Sequence, residues 1–404
     1  MSKRGRTRSA VRGVGALVVV LAVVLVAGCQ VDSGSGSSIQ ANANPNGVAT
    51  PKAVAQAKVT VSPADRAENV AVDAAVTVAA SGGSLTRVEV TYDGKAVEGA
   101  LDEARTSWST EAGSLLPDRV YQVHAVARNA EGKVTQTNQT FTTAKPAKVL
   151  GTDIEPLNGS TVGVGMPIVV KFTAPVKDRV EVEKRLVVET SKPVVGAWHW
   201  FSSEEVHYRP KKYWPAHTEV RLSVNTKDVN AGDGVWGVKD RVRRFRIANS
   251  VVTKVDLDKS HRARVYINGK WARSIRVTGG KAGWRTRNGV KVVLEKRQNF
   301  QFTNEAIGAR ERYRLVGRWA LRVTWSGEFL HSAPWSVGSQ GYSNTSHGCV
   351  GMSVSDSGWL WQVSQVGDPV EVTSSSGAQM PATGNGWGDW NLSWKEWKAG
   401  SALS

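Results

Sequence analysis

Cysteine is scarce in this chain, which has two cysteines, Cys29 and Cys349, among 404 residues. Two cysteines exclude the framework of several disulfides by which many small exported domains are stabilised. Acidic residues are also few, since 35 Asp and Glu oppose 52 Lys and Arg and leave a formal charge of +17. This excess favours polyanionic partners, but the basic residues are scattered along the sequence, and solvated basic faces are an equally good interpretation.

Long apolar runs are rare as well. The longest covers residues 14–27, and a membrane-spanning helix needs about 20 residues. A basic segment precedes this run, and the small residues Ala27 and Gly28 lead from it to Cys29. The arrangement predicts a secretory signal over residues 1–29, and its end resembles the lipobox of bacterial lipoproteins, in which the cysteine is acylated. An uncleaved anchor and an ordinary secreted protein are the alternatives.

The predicted secretory signal determines the location and the partners that we expect for this protein. The protein should be extracytoplasmic, held at the cell membrane by lipid on Cys29 and facing the cell wall, with no nucleic acid as a partner. Since a lipidated Cys29 is unable to form a disulfide, Cys349 should be a free thiol. Residues 30–52 are small and polar, and they predict a flexible linker that bears no core of its own.

Short alternating segments predict a mainly β fold with two tandem immunoglobulin-like sandwiches, over residues 53–146 and 147–249. Residues 70–78, 87–92 and 120–126 alternate in the first, and residues 242–247 alternate at the end of the second. His199, His207 and His217 lie in the second sandwich among aromatic residues. They lack the spacing of metal ligands, so we expect them to be packed or at the surface.

The third region, residues 250–374, predicts a β-rich domain with strands at 290–294 and 320–325 and one helix. Ser355 is the expected N-cap of that helix, with Leu360 and Val363 facing inward. Residues 375–404 form an extension with four tryptophans at spacings that would align them on one face of a helical segment: Trp387, Trp390, Trp394 and Trp397. We expect this extension to pack on the third domain, and a ligand-stacking platform is the alternative.

Cys349 is the best candidate for a chemically active group. It ends the run Ser346-His347-Gly348-Cys349, and His331 precedes it by eighteen residues. A thiol near its ordinary pKa needs an adjacent base to become a good nucleophile, and either histidine suits that role. Gly348 permits a tight backbone whose amides point at a developing oxyanion. The alternatives are an inert buried thiol and a zinc site, although a zinc site lacks a fourth ligand in a recognised spacing.

Three segments together carry a resemblance to a known family: residues 328–337, the pair Gln340-Gly341, and the run from Ser346 to Cys349. They resemble the active-site signature of L,D-transpeptidases of the YkuD type. The order of two immunoglobulin-like domains, a catalytic domain and a Trp-bearing tail resembles the actinobacterial lipoprotein members. The resemblance implies an enzyme that attacks a tetrapeptide stem of peptidoglycan, releases D-Ala and forms a 3→3 cross-link between diaminopimelate residues.

The resemblance also implies roles for individual residues. Cys349 would be the nucleophile, His331 the general base, and Ser332 would orient that base through its backbone carbonyl. His347 and Gly348 would shape the pocket, with amides near Gly348 and Cys349 as the oxyanion hole. The expected substrate-binding residues are Tyr313, Trp335 and Ser346. Carbapenems would acylate Cys349, and we expect no metal or organic cofactor and a monomeric protein.

Gly351 departs from the family pattern, which usually has Asn or Arg two residues after the cysteine. Two alternatives stand beside the transpeptidase. One is an L,D-carboxypeptidase, in which water replaces the acceptor amine. The other is a catalytically impaired lipoprotein that binds the wall through its basic surface.

Overall fold

Strands with one buried and one exposed face make up most of the computed structural model, which describes residues 55–308, 310–374 and 376–404. The expected signal and linker, with Cys29, lie outside the described residues. Within those residues, no helix has both the length and the apolar character needed to cross a membrane.

The first domain is a sandwich of two sheets. Its strands are β1 (Lys58–Ser62), β2 (Ala67–Val70), β3 (Thr77–Ser81), β4 (Ser84–Tyr92), β5 (Lys95–Ala96), β6 (Gly99–Leu101), β7 (Ser107–Thr110), β8 (Val120–Arg128) and β9 (Val134–Thr143). One sheet has the order β1-β3-β7-β6 and the other the order β2-β9-β8-β4-β5. The side chain of Tyr121 is fully buried between them, and its hydroxyl accepts a hydrogen bond from the backbone N–H of Leu116 at 2.6 Å. This resembles the tyrosine corner of immunoglobulin-like domains.

One predicted strand of this domain was wrong. The alternation over residues 70–78 is interrupted, because β2 ends at Val70 and a turn follows, in which the Ala74 N–H donates to the Ala71 carbonyl. Val76 is fully buried although it precedes β3. Val72 and Ala74 are only partly buried, but they stand at the alternate positions that a strand would bury, so the sequence pattern did not separate a turn from a strand.

The second domain is also a sandwich. Its elements are β10 (Lys148–Val149), β11 (Thr152–Glu155), β12 (Thr161–Val162), β13 (Ile168–Phe172), α1 (Arg179–Lys184), β14 (Leu186–Thr190), β15 (Gly196–Trp200), β16 (Glu205–Pro210), β17 (Glu219–Val224), β18 (Val235–Trp236) and β19 (Arg241–Ile247). The two main sheets have the orders β11-β13-β16-β15 and β12-β19-β17-β14. Trp214 is buried between them, and its indole N–H donates to the Met166 carbonyl at 2.6 Å. The expectation of two tandem immunoglobulin-like sandwiches is confirmed.

The third domain packs two sheets against each other. Its elements are β20 (Val251–Asp256), β21 (Arg262–Ile267), β22 (Lys270–Arg276), β23 (Gly289–Val292), β24 (Glu295–Thr303), β25 (Arg314–Arg322), β26 (Phe329–Ser332), β27 (Val350–Met352), α2 (Val354–Val363) and β28 (Pro369–Thr373). Two 3₁₀ turns cover Glu305–Ile307 and Pro334–Ser339. The sheets have the orders β22-β21-β20-β28-β23 and β24-β25-β26-β27, and a single apolar core lies between them.

Helix α2 begins two residues earlier than the sequence indicated. Its N-cap is Ser353 rather than Ser355, and the Ser353 hydroxyl accepts from the Asp356 N–H at 3.0 Å. Asp356 follows Ser353 by three residues and suits the first turn of a helix, whereas Gly358 stands at that distance from Ser355, so the choice of Ser355 was wrong. Leu360 is buried and Val363 packs against the same core, as expected.

The second and third domains meet through backbone contacts. The N–H of Gly163 donates to Val366 O at 2.7 Å, and the N–H of Gly165 donates to Gly367 O at 2.8 Å. A Cβ atom on Gly163 would overlap the Asp368 carboxylate, so only glycine permits this approach. Burial raises the pKa of Asp368 to about 7. The junction is therefore a built interface rather than a loose linker.

The C-terminal extension packs on both the third domain and the second sandwich. Its 3₁₀ turn (Asp389–Asn391) and its helix α3 (Trp394–Ala399) are separated at Leu392, whose backbone is extended, so the tryptophans do not share one helix. On the third domain, backbone hydrogen bonds join Ala378 and Met380 to Asn288 and Asn385 to Trp325, and the Asn391 side chain bonds the backbone of Val290. Helix α3 lies on the second sandwich, where the buried Trp397 donates to the Ala197 carbonyl at 2.9 Å.

Charged groups of the second sandwich hold this extension. The Arg209 guanidinium lies over the rings of Trp390, Trp394 and Trp397, with centroid distances between 4.5 and 5.6 Å. The buried His207 lies between two carboxylates, 2.6 Å from Asp389 and 2.8 Å from Glu205. Burial opposes its charge, but the two carboxylates outweigh burial and raise the pKa of His207 to about 9.

The other two histidines of the second sandwich also have structural surroundings. His199 donates from Nδ1 to the Trp397 carbonyl at 2.8 Å, and His217 lies at a turn with a positive φ of 60°. Over residues 55–308, 310–374 and 376–404, no group of three or more His, Cys, Asp and Glu side chains is arranged to hold a metal ion.

Candidate active site

Two neighbouring parallel strands bring the candidate base and the candidate nucleophile into one cleft. His331 lies on β26 and pairs in register with Gly351 on β27, and Cys349 immediately precedes β27. Both side chains line a cavity of about 550 Å³, together with Tyr313, Trp335 and other residues of the third domain. The parallel pairing explains why residues eighteen positions apart in the sequence come together.

The His331 ring has a defined tautomer. Its Nδ1 lies 2.7 Å from the backbone carbonyl of Ser332, which only accepts, so Nδ1 carries the proton and Nε2 is free to accept one. Burial lowers the pKa of His331 to about 4, and the ring is neutral at neutral pH. The sequence interpretation requires this contact with the Ser332 carbonyl, and the resulting geometry is that of a general base.

The Cys349 thiol is also neutral at rest. Burial raises the pKa of Cys349 to about 12, and the Sγ atom lies 3.5 Å from the carbonyl oxygen of Gly327. The residue still reaches the cavity and is partly exposed. A protonated thiol beside a neutral imidazole favours transfer of the proton during the reaction over a preformed ion pair.

The turn before Cys349 is held by hydroxyl groups. The Ser346 hydroxyl donates to the Cys349 carbonyl at 2.6 Å and accepts from the Gly348 N–H at 3.1 Å. Thr286 donates to the Gly348 carbonyl at 2.9 Å, and Gly348 has a φ of +111°, which other residues rarely adopt.

These bonds change two of the roles that we predicted. The Ser346 hydroxyl forms both of its hydrogen bonds inside the turn rather than with a substrate. One of these bonds uses the Gly348 N–H, which is then not available to an oxyanion. This leaves the Cys349 amide as the candidate oxyanion donor.

His347 also lines the cleft, beside Tyr313. Its ring stacks on Tyr313, with a centroid distance of 5.3 Å, and Trp284 packs edge-on at 5.2 Å. Its Nε2 lies 3.1 Å from the Glu311 carboxylate, which also bonds Lys281 at 2.7 Å. His347 and Tyr313 therefore shape the cleft, as the sequence interpretation expected, while the base position belongs to His331.

Close packing around residue 351 explains why this position is glycine in this chain. Gly351 exchanges two backbone hydrogen bonds with Thr278, at 2.8 and 2.9 Å. A Cβ atom on Gly351 would lie 2.8 Å from the Ala333 Cβ and 3.1 Å from Thr278 Cγ2. The Thr278 hydroxyl bonds Ser343 and Thr345 near the same wall. The space that a larger side chain would occupy is thus already filled.

Several residues near the site were missed by sequence reasoning. Thr278 and Thr286 hold the backbone around Cys349, and Glu328 forms a buried ion pair with Lys291 behind it. Glu328 lies inside the segment that carried the resemblance, but nothing in its local sequence assigned it a role. Lys291 lies within a predicted strand of apolar residues, where a single lysine gives no signal of its partner.

Comparisons with known proteins identify the domains of this chain. Residues 67–230 match a model of a bacterial Ig domain, and residues 250–372 match the L,D-transpeptidase catalytic domain, YkuD. The chain is 36% identical over 350 residues to L,D-transpeptidase 2 of Mycobacterium tuberculosis, and the aligned region covers 85% of this chain and 85% of the relative. It is 35% identical over 354 residues to L,D-transpeptidase 5 of the same species, covering 86% of this chain and 77% of the relative.

Among solved structures, a similar one is an L,D-transpeptidase in complex with imipenem, with a TM-score of 0.48 and 34% identity. The match covers 56% of this chain and 100% of that chain.

Proposed function

Because the chain belongs to the L,D-transpeptidase family, we propose that it forms 3→3 cross-links between the diaminopimelate residues of peptidoglycan stems through a thioester on Cys349. The observation that carries this proposal is the neutral His331 anchored on the Ser332 carbonyl in the same cleft as the Cys349 thiol. A base in the correct tautomer beside a nucleophile is what acyl transfer requires.

The first half-reaction acylates the enzyme. The Sγ proton of Cys349 passes to Nε2 of His331, and the sulfur attacks the carbonyl carbon at the L-centre of diaminopimelate in a donor tetrapeptide. The oxyanion that forms is stabilised by the Cys349 amide. Collapse of this intermediate breaks the peptide bond to the terminal D-Ala, whose amine takes the proton back from His331 and leaves as D-Ala.

The second half-reaction transfers the acyl group. The side-chain amine of diaminopimelate on a neighbouring stem attacks the thioester and gives a proton to His331. The carbon–sulfur bond breaks, the new amide forms, and the proton returns to the Cys349 thiolate. An L,D-carboxypeptidase would follow the same path with water in place of the amine.

We also propose that the protein works at the outer face of the membrane, anchored by lipid on Cys29. The basic run, the apolar run and the small residues before that cysteine support this location. Metabolic labelling with a radioactive fatty acid, with Cys29→Ala as the control, should give a labelled band that the variant lacks.

A carbapenem tests the acyl site directly. Intact mass spectrometry of residues 55–404 after incubation with imipenem should show a covalent adduct, and Cys349→Ala should show none. Tetrapeptide stems should then give a cross-linked dimer and free D-Ala. Tripeptide without dimer would identify a carboxypeptidase, and a folded protein that forms no adduct would favour the impaired wall-binding lipoprotein.

A further inference from the structure

A buried cluster of charges lies in the third domain behind the nucleophile. The side chain of Lys291 is fully buried on β23, and its Nζ atom lies 2.7 Å from Oε2 of Glu328, which is 5% exposed. The other oxygen of Glu328 accepts from the backbone N–H of Arg287 at 3.0 Å and from its Nη1 at 3.1 Å. We call Lys291, Glu328 and Arg287 the charge triad, which has one carboxylate and two cations.

The charge triad carries a net charge of +1 when Lys291 is protonated. Over the described ranges, no hydrogen-bond acceptor other than Glu328 lies against the Lys291 ammonium. Burial lowers the pKa of Lys291, and the Glu328 carboxylate opposes that shift. Burying such a pair is costly, and an apolar pair of similar volume often packs as stably. The placement of the triad therefore calls for a role other than stability.

The triad touches the turn that presents the thiol. Glu328 follows Gly327, whose carbonyl oxygen lies 3.5 Å from Cys349 Sγ. A Cβ atom on Gly348 would lie 3.7 Å from Cγ of Glu328, so the carboxylate side chain packs directly against that turn. Arg287 follows Thr286, whose hydroxyl donates to the Gly348 carbonyl. Two of the three members are thus adjacent in the chain to groups that hold the turn before Cys349.

A second charged cluster also acts on Cys349. The Arg322 guanidinium lowers the pKa of the thiol, and its Nε lies 3.2 Å from the Glu295 carboxylate, which Arg297 also contacts, so this cluster too has one carboxylate and two cations. His347 faces Glu311, and burial raises the pKa of Tyr313 and lowers that of His331, so both are neutral at neutral pH. The charge triad differs from the Arg322 cluster in that Glu328 packs directly against the turn before Cys349 and Lys291 is fully buried.

We propose that the charge triad is a positioning device that sets how readily the Cys349 thiolate forms when the Sγ proton passes to His331 Nε2. The part that the triad plays in catalysis rests on the proposed function. The effect of the triad on the reactivity of the Cys349 thiol does not depend on that function. Lys291 and Arg287 favour the thiolate, and Glu328 holds both cations in place while opposing the thiolate. Changing different members of the triad should therefore shift the reactivity of the thiol in opposite directions.

Alkylation of Cys349 by iodoacetamide measures this effect without a substrate. The sulfur forms a bond to carbon, iodide leaves, and the thiol proton goes to the buffer. The rate is followed by intact mass between pH 6 and 10 on residues 55–404. At neutral pH we expect Lys291→Met to react about tenfold more slowly, and Glu328→Gln about tenfold faster, which is a pKa change of about one unit in each direction.

Two further variants control for damage to the fold. The double variant Lys291→Met with Glu328→Gln keeps the net charge of the triad and should react at close to the rate of the unchanged protein. Arg287→Gln removes a cation from a half-exposed side chain and should slow alkylation even if Lys291→Met fails to fold. Circular dichroism and thermal melting establish that each variant is folded.

The proposal is overturned if Glu328→Gln and the cation variants change the rate in the same direction. It is equally overturned if all folded variants keep the same pH profile, because a purely structural pair would leave that profile unmoved. Neither result depends on donor or acceptor stems. Opposite shifts in a protein that forms no cross-link would support the triad and count against the proposed function alone.

Discussion

At the scale of single residues, a neutral thiol and a neutral imidazole share the cleft. Burial raises the pKa of Cys349 to about 12 and lowers that of His331 to about 4. Neither group is charged at rest, so a bound substrate or carbapenem meets a thiol whose proton moves as the bond to carbon forms. The Ser332 carbonyl holds the ring in the tautomer that receives this proton.

The low pKa of His331 links stability to pH. The pKa of His331 is about 4 in the folded protein and 6.5 in the unfolded chain. Between these pH values the unfolded chain therefore binds a proton at His331 that the folded protein does not bind. The stability contribution is present above pH 6.5 and is lost as the pH falls towards 4. From urea unfolding, the difference in unfolding free energy between the unchanged protein and His331→Gln should shrink by about 2 kcal/mol between pH 7 and 5. A constant difference would show that His331 titrates normally.

Gly351 should not tolerate the side chain that is usual in the family. In Gly351→Asn the new Cβ would approach the Ala333 Cβ to 2.8 Å, and neither atom belongs to a flexible side chain. We expect a loss of about 1–3 kcal/mol in unfolding free energy, typical of overpacking, and slower acylation by imipenem because residue 333 follows the segment that holds His331.

The control for this substitution is the double variant Gly351→Asn with Ala333→Gly, which removes the opposing methyl group. It should recover most of the stability and of the acylation rate that Gly351→Asn loses. A single variant that acylates faster than the unchanged protein would mean that Gly351 weakens the site.

At the scale of elements, helix α3 is the least expected packing. It is one and a half turns long and too short to be stable alone, so its stability comes from the sheet beneath it. Its N-cap Ser393 and Glu396 form a capping box, and Trp397 is fully buried against β15.

Truncating Trp397 should therefore destabilise the second sandwich. Trp397→Ala removes a buried ring that touches His199 and Arg209, and we expect a loss of about 3–5 kcal/mol in unfolding free energy. Urea unfolding measures the loss. As a matched control, Trp271→Ala changes an exposed tryptophan, 64% accessible on β22, and should alter stability by less than about 0.5 kcal/mol. Equal effects of the two substitutions would contradict the packing described here.

At the scale of the whole molecule, the second sandwich and the third domain are joined by backbone hydrogen bonds. Replacement of Gly163 by Leu would push the loop away from Asp368 and break the contacts with Val366 and Gly367. Calorimetry should then show two separate unfolding transitions where the unchanged protein shows one for these two domains. The neighbouring Ser160→Leu, at a turn outside this contact, is the control and should leave that single transition intact.

The first sandwich contacts the second through an ion pair between Arg119 and Asp228 at 2.7 Å. We propose that the first sandwich is a spacer, which would extend the reach of a lipid-anchored enzyme into the wall. Deleting residues 55–146 while keeping residues 1–54 should reduce cross-linking in cells but leave activity on soluble stems unchanged. If the deletion variant cross-links the wall in cells as well as the unchanged protein does, the first sandwich is not a spacer.

The sequence alone determined the mainly β class and the two sandwiches, and the resemblance of three short segments indicated His331 as the partner of Cys349. Strand alternation and short motifs are local properties of a sequence, so they are readable before folding. What depended on tertiary structure was every partner from another part of the chain: Glu328 for Lys291, Thr278 beside Gly351, and the second sandwich beneath Trp397. Which residues become partners depends on which surfaces come into contact when sheets and domains pack. The sequence around each residue carries no information about a partner that is distant in the chain.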